Sequence, residues 1–303
     1  MKASSALPLV ALLLVSCGGK EEPGTANDKG KPTIAAVNYP LAYFAERLAG
    51  DFATILFEAP AEEDPAFWKP RDQEIERIQN ADLILLNGAG YAKWTTSTTL
   101  PFSATVDTSA SFEKEFIEVH DVVQHKHGKG DEHSHSGTAF TTWMDFKQAE
   151  AQAAAVANAL AESWPDKEET VMKNLRGLQD DLKALEAAMT AATAKLKDAP
   201  LIASHPVYQY WERAYGLTVP SLLWEPEMDL DDEALADLKK IQDDNPGAKF
   251  FVWEGDPLPG HTEKLKALGL ASVVVSPCGN RPETGDFLSV MKANIAALEG
   301  LTP

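Results

Sequence analysis

This chain has almost no cysteine: two residues in 303, Cys17 and Cys278. They offer no disulfide framework, so the core must be held by burial alone. Basic residues are scarce as well, 27 Lys and Arg against 46 Asp and Glu, which leaves a formal charge of −19. Such a surface disfavours nucleic acid and anionic lipid, and it tends to draw cations. Also missing are a Gly-x-Ser-x-Gly elbow, a His-Glu-x-x-His helix and a phosphate-cradling glycine loop, the signatures of common hydrolases and nucleotide binders. No apolar run is long enough to cross a bilayer.

What is present begins with a leader. "MKASSALPLVALLLVSCGG" joins one basic residue, Lys2, to a short apolar stretch, the layout of a secretory signal. It closes on Leu14-Val15-Ser16-Cys17, which resembles the bacterial lipobox, where cleavage leaves the cysteine as an acylated amino terminus. Residues 1–16 are therefore expected to be a lipoprotein signal peptide and Cys17 the lipid attachment site. Acylation there would leave Cys278 as the remaining thiol. The polar segment 17–31, with its Gly and Pro, reads as a flexible tether.

Beyond the tether, apolar runs alternate with helical patterns, which predicts an α/β architecture with parallel strands. "TIAAVNYP", "FATILFEAP" and "DLILLNG" read as strands, "PLAYFAERLAG" and "DQEIERIQNA" as helices, with a shorter strand near Val106. The second half repeats that rhythm, with strands in "PLIASH", "AKFFVWEGD" and "ASVVVSPCG". Between the halves Val171, Leu175, Leu178, Leu182, Leu185, Met189, Ala192 and Leu196 recur at steps of four and three, one apolar stripe along a long helix. The expected fold is two α/β lobes with parallel sheets joined by that helix. Its expected boundaries are a first lobe over 32–148 with an insert at 120–137, linking helices over 149–198, and a second lobe over 199–303.

In open α/β sheets, ligands gather outside the carboxyl ends of strands. Three strands of the second half end in reactive residues: Ser204 runs into His205, Trp253 into Glu254, and Val275 into Ser276-Pro277-Cys278. An imidazole, a carboxylate and a thiol converging on one cleft would suit a borderline-soft ion such as zinc. Taken singly, each has a plainer reading: a backbone-bonded core imidazole, an ion-pair partner, and a small buried apolar side chain. The acidic stretch "FEAPAEEDPAFW", with Glu58, Glu62, Glu63 and Asp64, reads first as a solvated loop.

These segments resemble the zinc and manganese substrate-binding lipoproteins of bacterial ABC importers, the cluster A-I solute-binding proteins. "NYPLAYFAERLAGD", "ADLILLNGAGYAKW", the histidine-rich insert, "TTWMDF", "SHPVYQYWERAYGL", "FFVWEGDP" and "SPCG" follow that family's order and spacing over nearly all of the mature chain. The resemblance implies a rigid linking helix and a metal held in the cleft between the lobes by three histidines and a carboxylate. It further implies an ABC permease as partner, zinc or another divalent metal such as manganese as cargo, a monomer in the bacterial cell envelope, and no catalysis.

Three of the four ligand positions depart from the family pattern. Ala66 stands where an Asp-Pro-His motif has histidine, Thr141 where the histidine before Trp143 belongs, and Ser276 where an aspartate belongs. His205 alone is retained, and Glu254 matches a family glutamate beside the site. A closed zinc site takes about four ligands, so one imidazole does not hold the ion tightly. Three resolutions stay open. Cys278, Glu62, Glu63, Asp64 or an insert histidine replaces what is lost; the cargo is a metal complex or another small solute; or the cleft is silent.

The insert, "HDVVQHKHGKGDEHSHSG", holds His120, His125, His127, His133 and His135, five of the seven histidines in the chain. Its composition cannot bury a core, so weak and multiple metal binding is expected of it alone. It ends just before Thr141, which makes His133 and His135 the candidates to supply a missing imidazole. The expected function is metal delivery to an importer. The alternative is a surface metal-buffering or adhesion lipoprotein that uses the histidine-rich loop.

Overall fold

Four short strands rich in Thr, Ile, Leu and Val build the first sheet. The computed structural model describes residues 30–119, 137–225 and 228–302, with the backbone of Gln124–Lys126 and Glu132–Ser134 between them. The strands β1 (Thr33–Ala36), β2 (Thr54–Leu56), β3 (Leu83–Leu86) and β4 (Thr105–Asp107) lie in the order β2-β1-β3-β4, all parallel. Helix α1 (Tyr39–Ala49) starts where the Asn38 side chain accepts from Leu41 N at 3.1 Å, and it stops at Gly50 in a left-handed-side conformation with φ 56°. Helix α2 (Asp72–Gln79) crosses to β3.

Two short antiparallel pairs follow. One joins β5 (Glu118–Val119) to β8 (Gly137–Thr138), and the other joins β6 (Gln124–Lys126) to β7 (Glu132–Ser134). Helix α3 (Phe146–Ser163), capped by Asp145, ends just before Pro165, which cannot continue it.

The long helix is α4 (Glu168–Thr193). Its stripe of Val171, Leu175, Leu178, Leu182, Leu185, Met189 and Ala192 is buried throughout, and Leu196 extends it in a short 3-10 turn. One side of α4 lies against α1 and α3. Elsewhere it meets α5 (Gln209–Tyr215) and α8 (Phe287–Glu299) of the second half. A single apolar core therefore runs through both halves.

In the second half β9 (Leu201–Ala203), β10 (Phe250–Trp253) and β11 (Ala271–Val274) form a parallel sheet in the order β11-β10-β9. Helices α6 (Asp232–Asp244) and α7 (His261–Ala267) connect its strands. A separate core cluster that includes Ile202, Trp224, Leu238, Phe251, Trp253 and Leu265 packs on this sheet. Both sheets are parallel with helices attached, so their strands read as continuous apolar runs. Among the described residues no helix is long and apolar enough to cross a membrane.

Candidate metal centre

Strand register places the first two residues of the site. Ala203 on β9 is the partner of Val252 on β10, so two positions further on His205 and Glu254 leave the sheet side by side. The strand is extended by Ser204 N donating to Val252 O at 2.8 Å. A third segment joins from the other flank. Ser221 bridges to Ala203, and Trp224 N donates to Ser204 O at 2.7 Å, which delivers Glu225 beside the imidazole.

The His205 side chain is 2% exposed and faces a carboxylate on each ring nitrogen. Nδ1 lies 3.4 Å from Glu254 Oε1, and Nε2 lies 3.6 Å from Glu225 Oε1. One ligand atom from each of the three residues can be chosen so that all lie within 4.8 Å of one another, a spacing fit to surround one ion. Burial works against charge on the imidazole, but Glu254, then Glu225, then Asp64 of the first half outweigh it and hold its pKa above the usual value. The surroundings of His205 therefore favour a positive charge, whether a proton or a cation.

The positions that depart from the family pattern are occupied with other business. Ala66 is fully buried, and its main-chain oxygen accepts from Lys93 N at 3.0 Å. Thr141 Oγ1 donates to Val207 O at 2.5 Å. Ser276 is held at both main-chain groups by the Asn294 side chain, at 2.9 and 2.7 Å, while its hydroxyl accepts from Cys278 N at 3.2 Å.

Cys278 is not brought into the group with His205 and Glu254, so the convergence of imidazole, carboxylate and thiol expected from the strand ends is corrected. Its backbone takes a left-handed turn with φ 57° after Pro277, and Sγ is buried 3.9 Å from Asn280 O. Burial, then the nearby Asp286, pushes its pKa up to about 12, far from the thiolate that binds metal. The third member is instead Glu225, outside the residues expected from the sequence. A signal for it existed: "SLLWE" is another apolar run ending in a carboxylate, like the strand ends on either side.

Of the insert histidines, His125 and His133 are backbone partners across β6 and β7. His120, His127 and His135 lie outside the described residues, as does Cys17.

Two parallel α/β lobes braced by one long helix, with a group of one imidazole and two carboxylates in the second, define a two-lobed α/β protein with a candidate cation site. The chain belongs to the family described as zinc-uptake complex component A, periplasmic, whose model matches residues 34–300. Among its relatives, the zinc-binding lipoprotein AdcA of Streptococcus pneumoniae is 23% identical over 302 residues, covering 97% of this chain and 59% of that protein. The chain thus spans little more than half of AdcA. The manganese ABC transporter substrate-binding lipoprotein ScaA of Streptococcus gordonii is 25% identical over 322 residues, covering 97% of each. A crystal structure of the metal-dependent lipoprotein YcdH from Bacillus subtilis superposes with a TM-score of 0.75 at 19% identity, covering 89% of this chain and 98% of the other. That likeness fixes the fold.

Proposed function

We propose that this protein captures a divalent transition metal, zinc or manganese, between its lobes and delivers it to the membrane permease of an ABC importer. It acts as a monomer held at the cell envelope by a lipid on Cys17, with 1–16 removed as leader and 17–31 as tether. The lobes occupy 32–148 and 199–303, with 149–198 linking them. Binding, not catalysis, is the activity.

The observation that carries this reading is the group of buried His205 with half-buried Glu225 and Glu254. A metal-bound histidine commonly donates its other ring N–H to a carboxylate, which fixes the tautomer and raises ligand basicity. Glu254 at Nδ1 fits that role, leaving Nε2 and Glu225 to meet the ion. Water and the acidic loop of the first lobe fill the remaining positions. In this chain a carboxylate from the second lobe thus takes over from the histidines missing at 66 and 141.

Elemental analysis of the purified protein, with and without residues 120–137, tests the reading. Stoichiometric metal retained in the deletion is the expected result. Metal lost with the deletion would favour a surface buffer built on the histidine-rich loop.

A further inference from the structure

We propose that Asn280 is a latch between the lobes, a second-lobe side chain that holds the acidic loop of the first lobe closed across the cleft; this rests on the metal-binding reading above. The segment 277–281 follows β11 and reaches the first lobe at several points. Pro277 O accepts from Trp143 Nε1 at 2.7 Å, and Gly279 O accepts from Tyr39 N at 2.9 Å. Arg281 pairs with Glu46 at 2.7 Å, its guanidinium 4.8 Å from the centre of the Tyr39 ring. Those contacts grip α1 and the turn before α3, both anchored in the shared core. Asn280 goes elsewhere. Its Nδ2 donates to Pro60 O at 2.6 Å and to Glu63 O at 2.9 Å, two main-chain acceptors in the loop that carries Glu62, Glu63 and Asp64.

Each side of the latch is locally stiff. On the second lobe, Asn294 of α8 pins Ser276, Ser276 pins Cys278, and the Cys278 thiol donates to Asn280 O. Asn280 Oδ1 accepts from Arg281 N at 2.7 Å, which turns the Nδ2 end of the amide toward the loop. On the first lobe, Glu63 N donates to Pro60 O at 3.2 Å. Asp64 caps the next turn: Oδ1 accepts from Ala66 N, and its main-chain oxygen accepts from Phe67 and Trp68 N. The C-terminal end of the loop is thereby tied to the buried Ala66 and Trp68, which leaves the stretch from Pro60 to Glu63 as the part that Asn280 holds. Ala66 and Thr141 offer the ion nothing, and this loop, with Glu62, Glu63 and Asp64, is the acidic segment that the metal-binding reading brings to the ion. With a rigid α4 joining the lobes, two hydrogen bonds from one amide are enough to decide whether that loop stays closed.

The test uses Asn280→Asp, which keeps the shape and turns a carboxylate on two carbonyl oxygens, and Asn280→Ala, which removes the amide. Three readouts are taken on the mature chain: zinc dissociation into a chelator, hydrogen exchange of amides 58–68 in the metal-free protein, and the melting midpoint. Arg281→Gln, which cuts a different crossing contact, is the control. Zinc should leave on the order of tenfold faster in Asn280→Ala, as the loss of one or two hydrogen bonds implies, and faster still in Asn280→Asp. Exchange over 58–68 should quicken in both, with exchange in α1 and α4 and the melting midpoint unchanged. Arg281→Gln should alter neither the zinc rate nor the loop. Unaltered exchange over 58–68 in both Asn280 variants overturns the latch, as does an equal acceleration of zinc release in Arg281→Gln. Should the parent protein take up no stoichiometric zinc, the metal-binding reading fails, and the exchange measurement alone still decides whether Asn280 holds the loop.

Discussion

Burial and charge pull in opposite directions at His205. Desolvation favours the neutral imidazole, and the facing carboxylates of Glu254 and Glu225, with the charge of Asp64 in the first lobe, favour the charged one and prevail. Because the folded pKa is raised, the bound proton stabilises the metal-free fold fully below the unfolded value of about 6.5, and this contribution is lost as pH rises through the folded value. Metal-free protein should therefore lose melting temperature as pH rises above about 6.5 more steeply than His205→Asn does, read by thermal melts. Metal affinity should run the other way and weaken on acidification, because proton and cation compete for one nitrogen. Cys278 makes a second residue-scale prediction. A buried thiol raised to about 12 should resist maleimide at pH near 8 in the folded chain carrying Cys17→Ser, and label fully in denaturant. Stoichiometric native labelling would contradict its placement. His205 and Glu254 were legible in the sequence because both end apolar runs that pair in register. Glu225 was harder to find: "SLLWE" also ends an apolar run in a carboxylate, but an irregular segment with one bridge, Ser221 to Ala203, brings it in. Cys278 was misleading because, after a left-handed backbone turn, its thiol meets Asn280 O instead of joining the group at His205.

Among the elements, α4 carries the most consequence. Its stripe is a single apolar face shared by helices of both halves, so the lobes cannot lose it separately. Leu182→Ala, at a position 1% exposed, should cost about 2–5 kcal/mol, and the weakened protein should still unfold in one cooperative transition by calorimetry. Two resolved transitions would mean that the lobes fold independently. The steps of four and three made this helix legible, and short apolar runs between helical patterns made both sheets legible. The many 3-10 turns were not, because single turns leave too few residues to show a period. The β6 and β7 pairing was also beyond pattern reading, since Gln124–Lys126 and Glu132–Ser134 show no apolar alternation.

At the scale of the molecule, an acidic two-lobed body brings one buried imidazole and two half-buried carboxylates together in its second lobe. A donor set of one nitrogen and carboxylate oxygens would suit manganese better than an all-imidazole set does, and its nitrogen would keep zinc within reach. The central claim is that Glu225 and His205 hold the ion. Calorimetric titration of zinc and of manganese into the metal-free protein, beside Glu225→Gln and His205→Ala, tests it most directly. The account predicts one tight site per chain, weakened roughly tenfold or more in Glu225→Gln and abolished in His205→Ala. A tight site that survives both substitutions unchanged would contradict it.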